Sequence, residues 1–174
     1  MTDLHRIEFW DMGHELFRTT PETFPEPIIV ADIFDPSILE PVASCKYPPK
    51  TPIPALSSLT SLNPLRGHIS VIHASYFFHL FSEEKQLLLA QALAGLLSPE
   101  PGSVIFGTQV GHPGPTKIIT KSADGANLYC DSPESWRSLW IGPVFEQSEV
   151  EFEVTISRVE NYKTYLLEWS VTRT

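Results

Sequence analysis

The chain has 174 residues, 42% of them hydrophobic and 19% charged, with a net charge of −9. That length suits one domain, and that apolar content supports a core, which excludes wholesale disorder. The negative charge argues against nucleic-acid and anionic-membrane partners, no apolar run reaches the ~20 residues that span a bilayer, and no basic stretch followed by an apolar core marks a secretory signal. Cys45 and Cys130 have no metal-ligand spacing and read as two ordinary free thiols in a reducing, cytoplasmic setting.

In chain order, residues 5–18 read as a helix. Ile7, Trp10, Leu16 and Phe17 share its apolar face, Gly13 weakens it, and no strand stands ahead of it. A loop from Thr19 to Pro27 leads to Ile28–Asp32, a buried parallel strand ending in an acid. Prolines at 36, 41, 48, 49, 52, 54 and 64 mark residues 36–66 as a proline-rich insertion. Within it, Leu56, Leu59 and Leu62 suggest a short helix.

Ile69–Ala74 reads as a strand buried on both faces. Ser82 is the candidate N-cap of the next helix, with Glu83 and Glu84 favouring the dipole in its first turn. Leu87, Leu88, Ala90, Gln91, Leu93, Ala94 and Leu97 carry that helix on its apolar face. Ser98–Gly102 ends it, and Ser103–Thr108 is a second buried strand. This is a βαβ unit, so its strands are parallel. Ligands of open α/β sheets bind beyond the carboxyl ends of the strands. That places His73–His79 and Gln109–His112 at the functional edge.

Residues 112–127 read as a mobile loop. Asp131 or Ser132 caps a helix with Pro133 at its first position and Trp136, Leu139 and Trp140 on its apolar side. Val150, Phe152, Val154 and Ile156, then Tyr165, Leu167, Trp169 and Val171, recur with period two. They predict an antiparallel hairpin around Asn161-Tyr-Lys.

The runs FWDMGHELF, IIVADIFD, HISVIHASYFFHLFSEEKQ, LLSPEPGSVIFGTQVG and CDSPESWRSLW resemble, in order and spacing, fungal small-molecule members of the class I S-adenosylmethionine-dependent methyltransferases, several of them from meroterpenoid pathways. The resemblance covers nearly the whole chain. It implies a Rossmann-like sheet, mostly parallel, closed by the C-terminal antiparallel hairpin. It also implies a single partial methyltransferase domain over residues 1–174, with S-adenosylmethionine as cofactor and a small molecule as substrate.

By the same resemblance, Asp3 would bind the cofactor ribose and Leu4 would pack on the adenine. Asp32 would accept from the adenine amino group while the Ile33 amide serves the ring nitrogen. His73 and Ala74 would lie under the methionine part. Tyr76, Phe77, Phe78 and Gln109 would face the methyl acceptor. No metal ligands are expected; His14, His68 and His112 share no metal spacing.

One departure stands out. The family begins with a strand and a Gly-rich turn, and no GxG occurs here. The first two strands of the family sheet are unmatched. Hence the expectation is an N-terminally truncated chain, or a sheet rearranged or completed by another chain or a second copy in a homodimer. It also implies weak or absent cofactor binding by this chain.

Methyl transfer to oxygen is an in-line displacement governed by proximity and orientation. A carboxylate acceptor needs no strong base; a hydroxyl is helped by one, and His79 is the candidate, with His73 second. The alternatives are a structural or capping histidine at 79, a core histidine at 73, core packing for the aromatic residues, turn capping for Asp32 and N-capping for Asp3. Two functions follow. One is an O-methyltransferase acting on a carboxyl or hydroxyl of a secondary metabolite. The other is an inactive methyltransferase-derived accessory protein or cyclisation scaffold.

Overall fold

The computed structural model describes residues 2–3, 7–24, 28–160 and 164–174. The chain forms two compact units, one from Met1–Glu40 with Thr51–Leu65, the other from Pro41–Lys50 with Arg66–Thr174. No helix among the described residues is long and apolar enough to cross a membrane.

In the first unit, strand β1 (Thr2–Asp3) pairs in parallel with β2 (Ile29–Val30), and helix α1 (Ile7–Phe17) lies between them in sequence. A strand therefore does stand ahead of the helix. Trp10 and His14 turn inward, their rings 5.0 Å apart and both against Phe24. Leu16 and Phe17, expected on the apolar face, are exposed instead. The reason is local: the chain folds back after α1 and presents Phe24 to the Trp10 side. Arg18 sits at φ 53, and the amides of Arg18 and Thr19 return to the carbonyls of Glu15 and His14. That is a Schellman stop with arginine where glycine is usual.

β2 is shorter than Ile28–Asp32, and Val30 is exposed. The helix expected at Leu56–Leu62 is two separate 3₁₀ turns, Leu56–Ser58 and Asn63–Leu65. Pro64 removes a donor that a continuous helix would need. Side chains tie this stretch together. The Asn63 amide donates to the carbonyls of Pro36 and Ser37 and accepts from the Glu40 amide, and Ser61 donates to the carbonyl of Ser37.

The second unit contains the βαβ unit: β3 (Val71–His73), α2 (Glu83–Leu96) and β4 (Val104–Gly111), with β3 parallel to β4. Between β4 and the last hairpin come β5 (Ile118–Lys121), β6 (Asn127–Cys130) and α3 (Pro133–Trp140). The hairpin is β7 (Val150–Arg158) and β8 (Tyr165–Arg173). Sheet order is β3-β4-β8-β7, with β8 antiparallel to both neighbours. The predicted turn centre, Asn161-Tyr-Lys, lies outside the described residues.

The expected loop at 112–127 is largely a second hairpin, because β5 and β6 pair antiparallel. Its turn uses Gly125 at φ +86, while the Ser122 amide donates to the Ala126 carbonyl at 2.9 Å. The signal was present: Asp124-Gly125 between KIIT and NLYC is a hairpin turn pair, diluted by Lys, Ser and Thr.

One sheet face carries the core. Ile105, Leu167, Trp169 and Val171 point to the side where Trp136 and Trp140 of α3 and Leu89 of α2 are buried. The buried stripe of α2 is Gln86, Leu89, Ala90, Leu93, Leu96 and Leu97, rotated from the expected face so that Leu88 is exposed. Ser82 holds the N-cap backbone position without a side-chain bond. Ser132, not Asp131, caps α3, exchanging side-chain bonds with Ser135 in a capping box. On the opposite sheet face Val71 and Phe106 are exposed. β3 is thus not buried on both faces: it is an edge strand in a sheet that this unit's helices cover on one side.

Arg173, at the end of β8, is buried. It donates to the Cys45 carbonyl, lies 3.9 Å from Glu149 and stacks 5.0 Å over the Phe145 ring. It fastens the Pro41–Lys50 segment to the sheet.

Candidate active site

The elbow after β3 is the centre of the site. The Ala74 amide donates to the Phe106 carbonyl at 2.9 Å, continuing the parallel ladder one step past β3. Ser75 then leaves the ladder, its hydroxyl accepting from the Thr108 amide at 3.0 Å and pairing with His73 Nε2 at 2.7 Å. Tyr76 lies in the left-handed region at φ 52, anchored by its amide to the Thr108 carbonyl at 2.6 Å. A non-glycine residue there stores backbone strain and marks a place worth reading functionally. The conformation throws the Tyr76 ring outward, 55% exposed, with its centroid 6.3 Å from that of the His79 ring in an edge-to-face arrangement.

The chain then makes a 3₁₀ turn, Phe78–Leu80, before α2. His79 is only 5% exposed, and burial alone pulls its pKa below the ordinary histidine value. The ring is therefore neutral at physiological pH. Its Nδ1 has no hydrogen-bond partner. Phe77 is half-buried, its ring edge-on to Phe81 at 5.0 Å.

Two expected acceptor-facing residues point elsewhere. Phe78 is fully buried, 5.0 Å from Trp136 and 5.7 Å from Trp169. It is a core residue, because the 3₁₀ turn rotates it away from Tyr76. Gln109 is on the core face of β4 at 0% exposure, with both amide atoms unpartnered. His73 stays on the open sheet face, packed against Phe106 at 4.9 Å, while Ala74 is buried.

In the first unit, Asp3 is in register with Val30, two residues before Asp32. Both acids thus stand at the carboxyl end of one parallel strand pair. Asp32 is exposed and caps its own turn, one carboxylate oxygen accepting from the Phe34 amide at 2.9 Å. Ile33 is half-buried in that turn. Leu4 lies outside the described residues. Among the described residues no group of three or more potential metal ligands occurs. Burial pushes the Cys130 thiol up to about 11, which leaves it inert.

Sequence reasoning missed Asp131 as a side chain of the site region. Its carboxyl is buried and accepts from the Ser135 hydroxyl at 2.7 Å. Burial raises its pKa, against the opposing pull of that bond and of Lys117. A carboxyl raised on folding stabilises the fold below its unfolded pKa, and that contribution is lost as pH rises through the folded value. Asp131→Asn is therefore expected to raise the Tm at pH 7. The gain should vanish below the unfolded value of about 3.9. Thermal circular dichroism at pH 7 and pH 3 checks it; an equal change at both would contradict the assignment.

No family model matches the chain. O-methyltransferase phiE from Fungal sp. (strain ATCC 74256) is 32% identical over 168 residues, 95% of this chain and 47% of that protein. By sequence the chain is a homologue of fungal methyltransferases. Asnovolin E/Chermesin D methyltransferase nvfJ of Aspergillus novofumigatus is 34% identical over 79 residues, 45% of this chain and 28% of its own length. Methyltransferase ausD of Penicillium brasilianum is 26% identical over 133 residues, 76% of this chain and 40% of its own length. The chain thus spans about half or less of the length of these relatives.

The fold agrees. The crystal structure of Burkholderia thailandensis 1,6-didemethyltoxoflavin-N1-methyltransferase, with 1,6-didemethyltoxoflavin and S-adenosylhomocysteine bound, superposes with a TM-score of 0.52 at 7% identity. The match covers 67% of this chain and 50% of that one, and it is a likeness of fold. This homologue of fungal methyltransferases therefore carries the α/β plan its sequence resemblance implied, with parallel pairs and a C-terminal antiparallel hairpin.

Proposed function

We propose that the chain serves in methyl transfer from S-adenosylmethionine to an oxygen, hydroxyl or carboxyl, of a small-molecule secondary metabolite. The observation that carries this reading is the 32% identity to an O-methyltransferase across 95% of the chain. The donor set fits the cofactor chemically. Asp3 ends β1 and Asp32 follows the end of its parallel partner β2 by two residues, and carboxylates there suit ribose hydroxyls and an adenine amino group. Leu4, Ile33, His73 and Ala74 remain its other proposed contacts. S-adenosylmethionine supplies a sulfonium methyl group for an in-line displacement.

The chain's own residues then have three tasks. Tyr76, exposed and rigidly anchored, and Phe77 offer an apolar surface to the acceptor. His79, held neutral by burial, is in the form that can accept a proton from a hydroxyl. For a carboxylate acceptor His79 is dispensable, and orientation alone does the work.

Calorimetric titration of the full chain with S-adenosylhomocysteine tests the reading. The expected result is weak but measurable binding that Asp32→Ala lowers at least tenfold. No heat from the unaltered chain would refute the proposal. Equal affinity in the two proteins would remove Asp32 from the adenine site.

A further inference from the structure

Gln86 is the one polar side chain in the buried stripe of α2, at 1% exposure. A primary amide among leucines is costly unless it is hydrogen-bonded. Here its Nε2 donates to the Phe78 carbonyl at 3.1 Å and to the Tyr129 carbonyl at 3.4 Å. Phe78 is the residue before His79, and Tyr129 belongs to β6. One side chain thus ties the elbow to the β5–β6 hairpin. Asp131, just beyond β6, also faces this junction, and Gln86 is among the groups that pull its pKa down against burial.

The surrounding packing agrees. β6 packs directly on the Phe78–Leu80 turn. On the outside of the same junction, Lys117 reaches Glu83, in the first turn of α2, at 2.5 Å. That pair is largely solvent-exposed, and exposed pairs contribute little. The buried amide is the stronger tie, because its bond to the Phe78 carbonyl is shielded from water.

We infer that Gln86 is a positioning residue of the acceptor site: it locks the β5–β6 hairpin against the elbow, so that hairpin and elbow form one wall around His79. Its purpose rests on the methyl-transfer reading; the tie itself does not. Gln86 touches no reacting atom and acts through the Phe78 and Tyr129 carbonyls.

Hydrogen exchange of the full chain, read by mass spectrometry, tests it. Gln86→Met keeps the volume and removes the donors. Protection in residues 78–81 and 127–130 should fall at least tenfold, with β7 and β8 unchanged. Gln86→Asn, too short to span both carbonyls, should do the same with a smaller change in the core. Gln86→Glu should lose protection at neutral pH and regain part of it in acid, where the protonated carboxyl recovers one O–H donor. Asp131, Glu83, Lys117 and His79 also face this junction, and Gln86→Met keeps all four while placing no titratable group at 86, so it should show no such recovery. Unchanged protection in the two segments would overturn the inference. So would a uniform loss that includes β7 and β8, or the absence of acid recovery in Gln86→Glu. Failure of the methyl-transfer reading shows separately, as no heat with S-adenosylhomocysteine.

Discussion

Trp136→Ala is expected to lower the unfolding free energy by about 3–5 kcal/mol, as deletion of a buried aromatic ring does. Trp136 has no exposed surface and stands at the centre of an aromatic cluster. Its ring is 5.0 Å from Phe78, 5.0 Å from Trp169 and 5.9 Å from Trp140. These partners come from the elbow, β8 and α3, so the cavity could close only by moving three elements at once. Rigid surroundings of that kind put a truncation at the costly end of the range. Against a typical total of about 5–15 kcal/mol, the loss leaves the second unit marginal or unfolded at 37 °C. Urea denaturation followed by the fluorescence of the remaining tryptophans measures it. A loss under about 1 kcal/mol would mean that the cluster is not the core's keystone.

Gly107→Ala is the second large effect, and it reaches the elbow. A Cβ built on Gly107 would overlap the Ala74 carbonyl oxygen and would lie 3.2 Å from Trp169 Cζ2. Neither neighbour can yield cheaply. Ala74 is held by its amide bond to the Phe106 carbonyl, and Trp169 is wedged in the aromatic cluster. Overpacking at such a site costs about 1–3 kcal/mol or more. Retreat of Ala74 would also shift Tyr76 and His79, because the elbow hangs from this end of β3. The expected outcome is a destabilised chain whose exchange protection is lost first at residues 74–81. A stable variant with an intact elbow would show that β3 can slide outward freely.

Local chemistry made much of this molecule legible. The alternation from Val150 to Ile156 and from Leu167 to Val171 required a hairpin, because period two puts every apolar side chain on one face. That hairpin is present and its register is regular. The stop at Ser98–Gly102, the Ser132-Pro133 start of α3 and the parallel β3–β4 pair likewise follow from capping, turn and crossover rules that act over a few residues. The family resemblance was readable too, since it rests on ordered runs of residues.

Which way a side chain points in an irregular segment was decided only by the tertiary structure. Tyr76, Phe77, Phe78 and His79 form one aromatic run in the sequence, yet only Tyr76 is exposed. Its left-handed backbone and the 3₁₀ turn after it send Phe78 and His79 inward. No periodicity encodes that rotation. Gln86 and Asp131 gain their meaning from carbonyls and hydroxyls brought to them by β6 and α3, which are remote in sequence. The open face of the sheet, with Val71 and Phe106 exposed, was equally illegible. An apolar strand has the same composition at an edge or in the middle, and only the neighbours that pack on it decide between the two.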